Sequence, residues 1–150
     1  MILDWQTYVL QRRISRPSEH VLRAIANPAL FGPGMFLTDD AQGAFVLDER
    51  FHRVDAYAVP VWRAVGRLLD SRRRSLGGVE IEISAWSALD TQLLIRPRAR
   101  RPERWSGRRT RSYFACAHRS ADGFVRLLAD TPAAPDLDRE ARQSLDDARR

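Results

Sequence analysis

The chain has a single cysteine, Cys116, and no lysine among its 150 residues. One cysteine excludes an intrachain disulfide, so a reducing compartment fits best. No stretch approaches the roughly 18 to 20 consecutive apolar residues that a membrane-spanning helix needs. The N-terminal residues also lack the basic start and apolar run of a signal peptide. We therefore expect a cytoplasmic protein without a membrane span.

Recognisable catalytic motifs are also missing. There is no nucleophile elbow, no phosphate-binding glycine loop and no cluster of metal-ligand residues. Cys116 and His118 are two residues apart on a predicted helix, so their side chains point in nearly opposite directions and cannot form a nucleophile–base pair there. We therefore expect no metal and no cofactor, and no motif assigns a catalytic residue.

Because lysine is absent, all 25 basic residues are arginine, and the formal net charge is +6. The use of arginine in place of all lysine is typical of a GC-rich genome, so this composition alone does not indicate nucleic-acid binding. The charge is nevertheless local. Residues 96–111 contain eight arginines and one acidic residue, Glu103, whereas the rest of the chain is nearly neutral.

The order of patterns along the chain predicts an α+β domain. A strand over 4–15 is followed by a short helix that begins after Pro17 and ends at Asn27-Pro28. An irregular connection over 28–43 precedes segments with the alternating pattern of half-buried strands. The strand segments are 45–51, 59–69, 79–86 and 91–95, with 52–58 open between a strand edge and a turn and Gly77-Gly78 predicted as a turn.

The strongest helical pattern covers about residues 109–129, where apolar side chains fall within one broad sector. Thr131-Pro132 ends it. Residues 132–150 contain only two sizeable apolar side chains, so they form either a loose terminal helix or a disordered tail. The chain is therefore predicted to be one domain over 1–131, with a curved antiparallel sheet around the long helix, and a polar tail over 132–150.

Two segments carry a likeness to a known family: the strand-into-helix start at 13–21 and the terminal helix at 113–118. Together with the order of elements, they resemble the START-like helix-grip superfamily, also called the SRPBCC or polyketide cyclase group, over about residues 4–129. The resemblance implies an apolar cavity between sheet and helix. Members bind lipids, sterols or polyketides; some catalyse cyclisation or dehydration, and others are adaptors.

The leading hypothesis is therefore a domain that binds a small hydrophobic or amphipathic ligand, with the segment 31–36 over the mouth of the cavity. Pockets of this kind are mostly apolar with a few polar groups. The predicted lining residues are Phe45, Leu47, Trp62, Ile81, Ile83, Leu93, Tyr113, Ala117, Ala121 and Phe124.

Two charged residues share strand parity with apolar neighbours and are the candidates for catalysis. Glu49 follows the parity of the inward residues of its strand, and Arg12 does the same in the first strand. A carboxylate in an apolar pocket needs a partner or a raised pKa, and either state would suit substrate orientation or general acid–base work. The resemblance also allows an aromatic cyclase or dehydratase of a natural-product pathway, although no residue requires one. Alternatively, both residues lie near strand ends and reach solvent. Glu80 and Glu82 are predicted to be solvated.

The arginine-rich stretch supports a third hypothesis, a non-catalytic module that docks an acidic protein or a nucleic acid. Guanidinium groups bind phosphate in bidentate fashion and an aromatic ring stacks on a base. The alternative is a solvated linker leading into the helix. The candidate residues are Arg98, Arg100, Arg101, Arg104, Trp105 and Arg108.

Overall fold

The computed structural model describes residues 5, 7–26, 43–48 and 50–130. Glu49, the predicted lid at 31–36 and the predicted tail at 132–150 lie outside these residues. The described chain forms two α-helices, six strands and a 3₁₀ turn at Pro102–Arg104. In chain order the elements are β1 (Leu10–Ile14), α1 (Ser18–Ala26), β2 (Gly43–Leu47), β3 (His52–Val54), β4 (Val61–Asp70), β5 (Ser75–Ala85), β6 (Thr91–Pro97) and α2 (Gly107–Asp130).

All six strands pair antiparallel in one sheet with the order β1-β6-β5-β4-β2, and β3 also pairs with β4. Strands β2 and β3 follow one another along β4. Leu47 lies opposite Gly66 and His52 opposite Arg63, so the pairing register along β4 shifts by two residues between β2 and β3. The ambiguous segment 52–58 is thus a short strand followed by a turn. The predicted α+β class and antiparallel sheet are confirmed.

The sheet curves around α2, because the helix contacts the edge strands β1 and β2 as well as the central strands β4 and β5. Gly66 in β4 allows this curvature at the β2 edge. A Cβ atom on Gly66 would lie 2.1 Å from the carbonyl oxygen of Val46 and 2.9 Å from the Cα of Leu47. Only glycine permits the backbone of β2 to approach so closely.

One hydrophobic core lies between the inner face of the sheet and the two helices. Its largest fully buried side chains come from α2 and from alternate positions of the strands, as the period-2 and helical patterns predict. Within the described parts of the chain, no helix is both long enough and apolar enough to cross a membrane. The fully buried side chains include Ile14, Val21, Phe45, Leu68, Ile81, Ile83, Leu93, Tyr113, Phe124 and Leu128.

The predicted turn at Gly77-Gly78 is wrong, because both glycines lie inside β5. The turn between β4 and β5 is instead at 71–74, where Arg73 has the left-handed φ of 63°. Both glycines allow neighbouring residues to pack closely against β5. A Cβ on Gly77 would lie 2.8 Å from the Trp105 ring, and one on Gly78 would lie 2.7 Å from the carbonyl oxygen of Arg98.

The first strand is shorter than predicted, since regular pairing begins only at Leu10. Continuing the β1–β6 register would place Tyr8 opposite Pro97, which has no N–H to donate. Trp5 instead turns into an aromatic cluster and stacks on Phe114, with the ring centroids 5.1 Å apart.

The predicted solvation of Glu80 and Glu82 is also wrong, because their side chains are only 11% and 9% exposed. Three arginines lie over these carboxylates on the outer face of the sheet: Arg63 in β4, Arg96 in β6 and Arg98 directly after β6. Arg63 bonds Glu80 at 3.0 Å and Glu82 at 2.7 Å; Arg96 bonds Glu82 at 2.7 Å and Arg98 bonds Glu80 at 3.2 Å. Buried carboxylates are tolerated when they are paired in this way.

Candidate functional site

A groove of about 850 Å³ runs between the β4–β5 turn and the first turns of α2. Among the residues that the structure describes, its lining is basic and hydroxyl-rich, with five arginines, four serines and a single acidic residue. Few apolar side chains reach it. The lining residues are Asp70, Ser71, Arg74, Ser75, Leu76, Ser106, Arg108, Arg109, Arg111, Ser112, Ala115, Cys116 and Arg119.

Asp70 fixes the turn that forms one wall of the groove. Its carboxylate accepts hydrogen bonds from the backbone N–H groups of Arg72 and Arg74, each at 2.9 Å, and lies 3.4 Å from the Arg74 guanidinium. The bond from the Arg74 backbone N–H is the main reason that the pKa of Asp70 lies below its usual value. The single acid of the groove is thus committed to shaping the turn, and the arginines set the charge of the lining.

Helix α2 forms the other wall. Arg108, Arg111, Ala115 and Arg119 follow one another at intervals of three or four residues, which places them on one face of the helix. From Arg108 to Arg119 this face is about 16 Å long at 1.5 Å per residue. The groove is therefore long enough for an extended ligand with several charged groups.

The backbone at the start of α2 adds to the positive charge of the arginine side chains. Ser106 caps the helix by accepting a hydrogen bond from the Arg109 backbone N–H at 3.1 Å, and the first turn contains no acidic residue. The N-terminal end of a helix carries a partial positive charge, so arginines there are destabilising by a few tenths of a kcal/mol each. A bound anion would remove this repulsion.

The arginines of the groove differ in how they are held. Arg109 lies over the Trp105 ring at 4.3 Å and donates to the carbonyl oxygen of Leu76 at 3.4 Å. Within the part of the chain that the structure describes, no acidic partner neutralises Arg108, Arg111 or Arg119. These three guanidinium groups are available to an anionic ligand.

Most of the arginine-rich stretch predicted to bind phosphate lies elsewhere. Of the six candidates, only Arg108 lines the groove. Arg98 pairs with Glu80 on the outer sheet face, while Arg100, Arg101 and Arg104 are exposed beyond the end of β6.

The predicted stacking residue, Trp105, packs against other aromatic rings. Its centroid lies 5.3 Å from that of Trp5 and 5.3 Å from that of Tyr113. It therefore supports the fold next to the groove. The groove residues that the sequence interpretation missed include Arg74 and Arg119, and the helical spacing of 108, 111, 115 and 119 was the signal that could have found the helix wall.

The residues predicted to line a hydrophobic cavity are brought together by the fold, with one exception. Phe45, Ile81 and Phe124 have no accessible surface, and the rings of Phe45 and Phe124 are 6.4 Å apart, edge to face. A side chain that bordered a water-sized cavity would keep some accessible surface, so these residues pack directly against others. Trp62 is partly exposed and outside the core cluster. The remaining predicted lining residues are Leu47, Ile83, Leu93, Tyr113, Ala117 and Ala121, all at most 7% exposed.

The buried hydroxyl of Tyr113 is satisfied by the sheet. It donates a hydrogen bond to the carbonyl oxygen of Gly78 at 2.8 Å. Burial raises the pKa of this hydroxyl above its ordinary value of 10.0, so it stays protonated at neutral pH. Tyr113 therefore acts as an anchor between α2 and β5.

Of the two catalytic candidates, Glu49 lies outside the described residues and Arg12 belongs to a polar network between β1 and α2. Arg12 donates to Asp122 at 2.7 Å and to the Nδ1 atom of His118 at 3.1 Å. Because a guanidinium only donates, Nδ1 accepts and the Nε2–H group can donate to Tyr8, whose hydroxyl is 3.3 Å away. These two partners and the carbonyl oxygen of Gln11, at 2.9 Å, hold Arg12 at the surface of the core.

Comparisons with protein-family models, with curated proteins and with solved structures find no match for this chain. Among the described residues, no three or more His, Cys, Asp or Glu side chains come close enough to hold a metal ion. The arginine-lined groove is therefore the candidate functional site.

Proposed function

We propose that this chain binds a polyanion in the groove between the β4–β5 turn and α2. The observation that carries the proposal is the lining itself, in which five arginines surround a space of about 850 Å³ with one aspartate among them. Guanidinium groups match phosphate and carboxylate oxygens in bidentate geometry. The serine hydroxyls along the same walls add further donors.

Electrostatics support an anionic ligand over an apolar one. Arginines gathered in one groove repel each other, and a concave wall focuses their field toward a ligand. The positive end of α2 adds to this field. A polyanion would neutralise several charges at once and release counterions, so its binding would depend steeply on salt.

Inorganic polyphosphate is a suitable first probe, because it carries repeated phosphates and no other group. We expect it to bind at low ionic strength and to weaken as salt is raised. The paired substitutions Arg108→Gln and Arg111→Gln should weaken binding about tenfold or more and reduce the slope of log K against log salt by about 2, since each removes one phosphate contact.

The matched control is the pair Arg100→Gln and Arg104→Gln, which removes the same charge from the same arginine-rich stretch outside the groove. It should change affinity much less than the groove pair. Equal losses from the two pairs, or no binding of polyphosphate at low salt, would overturn the proposal.

We also propose that the fold is of the helix-grip type that the sequence resembles. The order of elements and the contact of α2 with both sheet edges support it. A hydrophobic ligand, an aromatic cyclase or dehydratase activity and a cytoplasmic location stay predictions. The packing of Phe45, Ile81 and Phe124 gives the hydrophobic ligand no space at those residues.

A further inference from the structure

A second, smaller cleft lies near Trp105, whose ring contacts Trp5 in its wall. It has a volume of about 340 Å³, at the small end of ligand pockets, and its walls include two aromatic and two proline rings. Such a cleft suits one flat ring system. Its lining residues are Trp5, Tyr8, Arg96, Pro97, Ala99, Pro102 and Glu103.

A short chain of contacts through aromatic rings joins the two sites. The Arg109 guanidinium in the groove lies 4.3 Å from the centre of the Trp105 ring, and Trp105 lies 5.3 Å from the ring of Trp5 in the cleft. The Arg109 guanidinium and the Trp5 ring are therefore within about 10 Å of each other. This is the reach of a nucleotide from its base to a neighbouring phosphate.

The aromatic walls of the cleft are held in place by the core. Trp5 stacks on Phe114 at 5.1 Å, and Tyr8 meets the edge of the same ring at 4.6 Å. Rings that are already ordered lose little conformational freedom when a ligand stacks on them. The cleft is thus preorganised for a ligand ring to stack on its aromatic walls.

Building on the proposed function, we propose that the polyanion is a single-stranded nucleic acid, with its phosphates along the arginine groove and one base in the cleft. Proteins that bind single strands combine a positively charged groove with aromatic rings on which bases stack. A duplex keeps its bases inside the helix and could not fill the cleft. An acidic peptide would use the groove but gain nothing from the cleft.

Two probes of equal length and charge separate the cleft from the groove: a short oligothymidylate and an abasic oligodeoxyribonucleotide. With the unmodified protein, we expect oligothymidylate to bind about tenfold more tightly, because base–aromatic stacking adds to the phosphate contacts. Ala99→Leu should fill the cleft and bring the affinity for oligothymidylate down to that for the abasic strand. Ala58→Leu, at an exposed turn position, is the matched control.

The outcomes distinguish the two proposals. Equal binding of the two strands by the unmodified protein, or tighter binding of a duplex or of an acidic peptide, would overturn the nucleic-acid inference and leave the polyanion groove standing. Failure of both strands to bind at low salt, together with failure of polyphosphate, would overturn both. A tenfold preference that survives in folded Ala99→Leu protein would contradict the assignment of the base to this cleft.

Discussion

Replacing Gly66 with alanine is expected to destabilise the protein by about 3 kcal/mol or to prevent folding, the upper range for overpacking a buried site. The added Cβ would lie 2.1 Å from the carbonyl oxygen of Val46. That atom belongs to the backbone of β2, so no side-chain rotation can relieve the clash. The edge strand would have to move away from β4, and the curvature of the sheet around α2 would be lost.

Urea denaturation followed by circular dichroism measures this effect, and Gly107→Ala is the matched control. The Cβ added at Gly107 meets only the end of the flexible Arg111 side chain, at 3.3 Å. Alanine is also the better helix former by up to about 1 kcal/mol. We therefore expect Gly107→Ala to be neutral or slightly stabilising. A Gly66→Ala protein as stable as the unmodified one would show that β2 does not pack on β4 as described.

Glu82→Gln is expected to lower the free energy of unfolding by about 2 kcal/mol at neutral pH, because it leaves two half-buried guanidinium groups without their shared carboxylate. Arg96 would lose its 2.7 Å ion pair, and Arg63 would keep its contacts with Glu80 and with the Tyr57 hydroxyl. Glu103→Gln is the control, since Glu103 is exposed and has no ion pair among the described residues. It should change stability by no more than a few tenths of a kcal/mol.

The same network predicts the direction of the pH dependence. Burial alone would raise the pKa of Glu82, but hydrogen bonds from Arg96 and Arg63 outweigh it and hold the pKa below its ordinary value of 4.5. The folded state therefore releases this proton more readily than the unfolded state. The stabilisation is complete above 4.5 and is lost as the pH falls through the lower, folded pKa.

Denaturation at several pH values tests this linkage. The stability difference between the unmodified protein and Glu82→Gln should be constant between about pH 7 and 5 and shrink below 4.5. A difference that grew in acid would mean that Glu82 is protonated more readily when folded, which the ion pairs exclude.

Elements with a strong local pattern could be predicted from the sequence. The helix predicted at 109–129 is Gly107–Asp130, because its apolar sector reports directly which face is buried. The alternation at 79–86 likewise found most of β5, in which Val79, Ile81 and Ile83 are fully buried. In these segments the periodicity of the side chains and the geometry of the backbone coincide.

Features that depend on residues far apart in the sequence could not be predicted in this way. Glu80 and Glu82 alternate with apolar residues as solvated side chains do, and only the pairing of β4, β5 and β6 brings arginines over them. The glycines at 77 and 78 resemble a turn in the sequence, but in the fold Trp105 packs against Gly77 and the backbone of Arg98 against Gly78. Local composition does not reveal these contacts.

The candidate site was likewise only partly predictable from the sequence. The arginine-rich stretch pointed to this part of the chain, but its local density suggested one continuous binding loop. In the fold, Arg96 in β6 and Arg98 directly after it lie on the outer face of the sheet, whereas Arg108, Arg111 and Arg119 of α2 lie toward the β4–β5 turn. The groove is created by the meeting of two segments that are about 30 residues apart in sequence.

The most direct test of the polyanion groove is a map of backbone amide chemical-shift changes in ¹⁵N-labelled protein titrated with polyphosphate at low salt. We predict that the largest changes fall on residues 70–76 and 106–119 and that they disappear as salt is raised. Changes confined to 96–104, or centred on core residues such as Phe45 and Phe124 with the groove unaffected, would contradict the account.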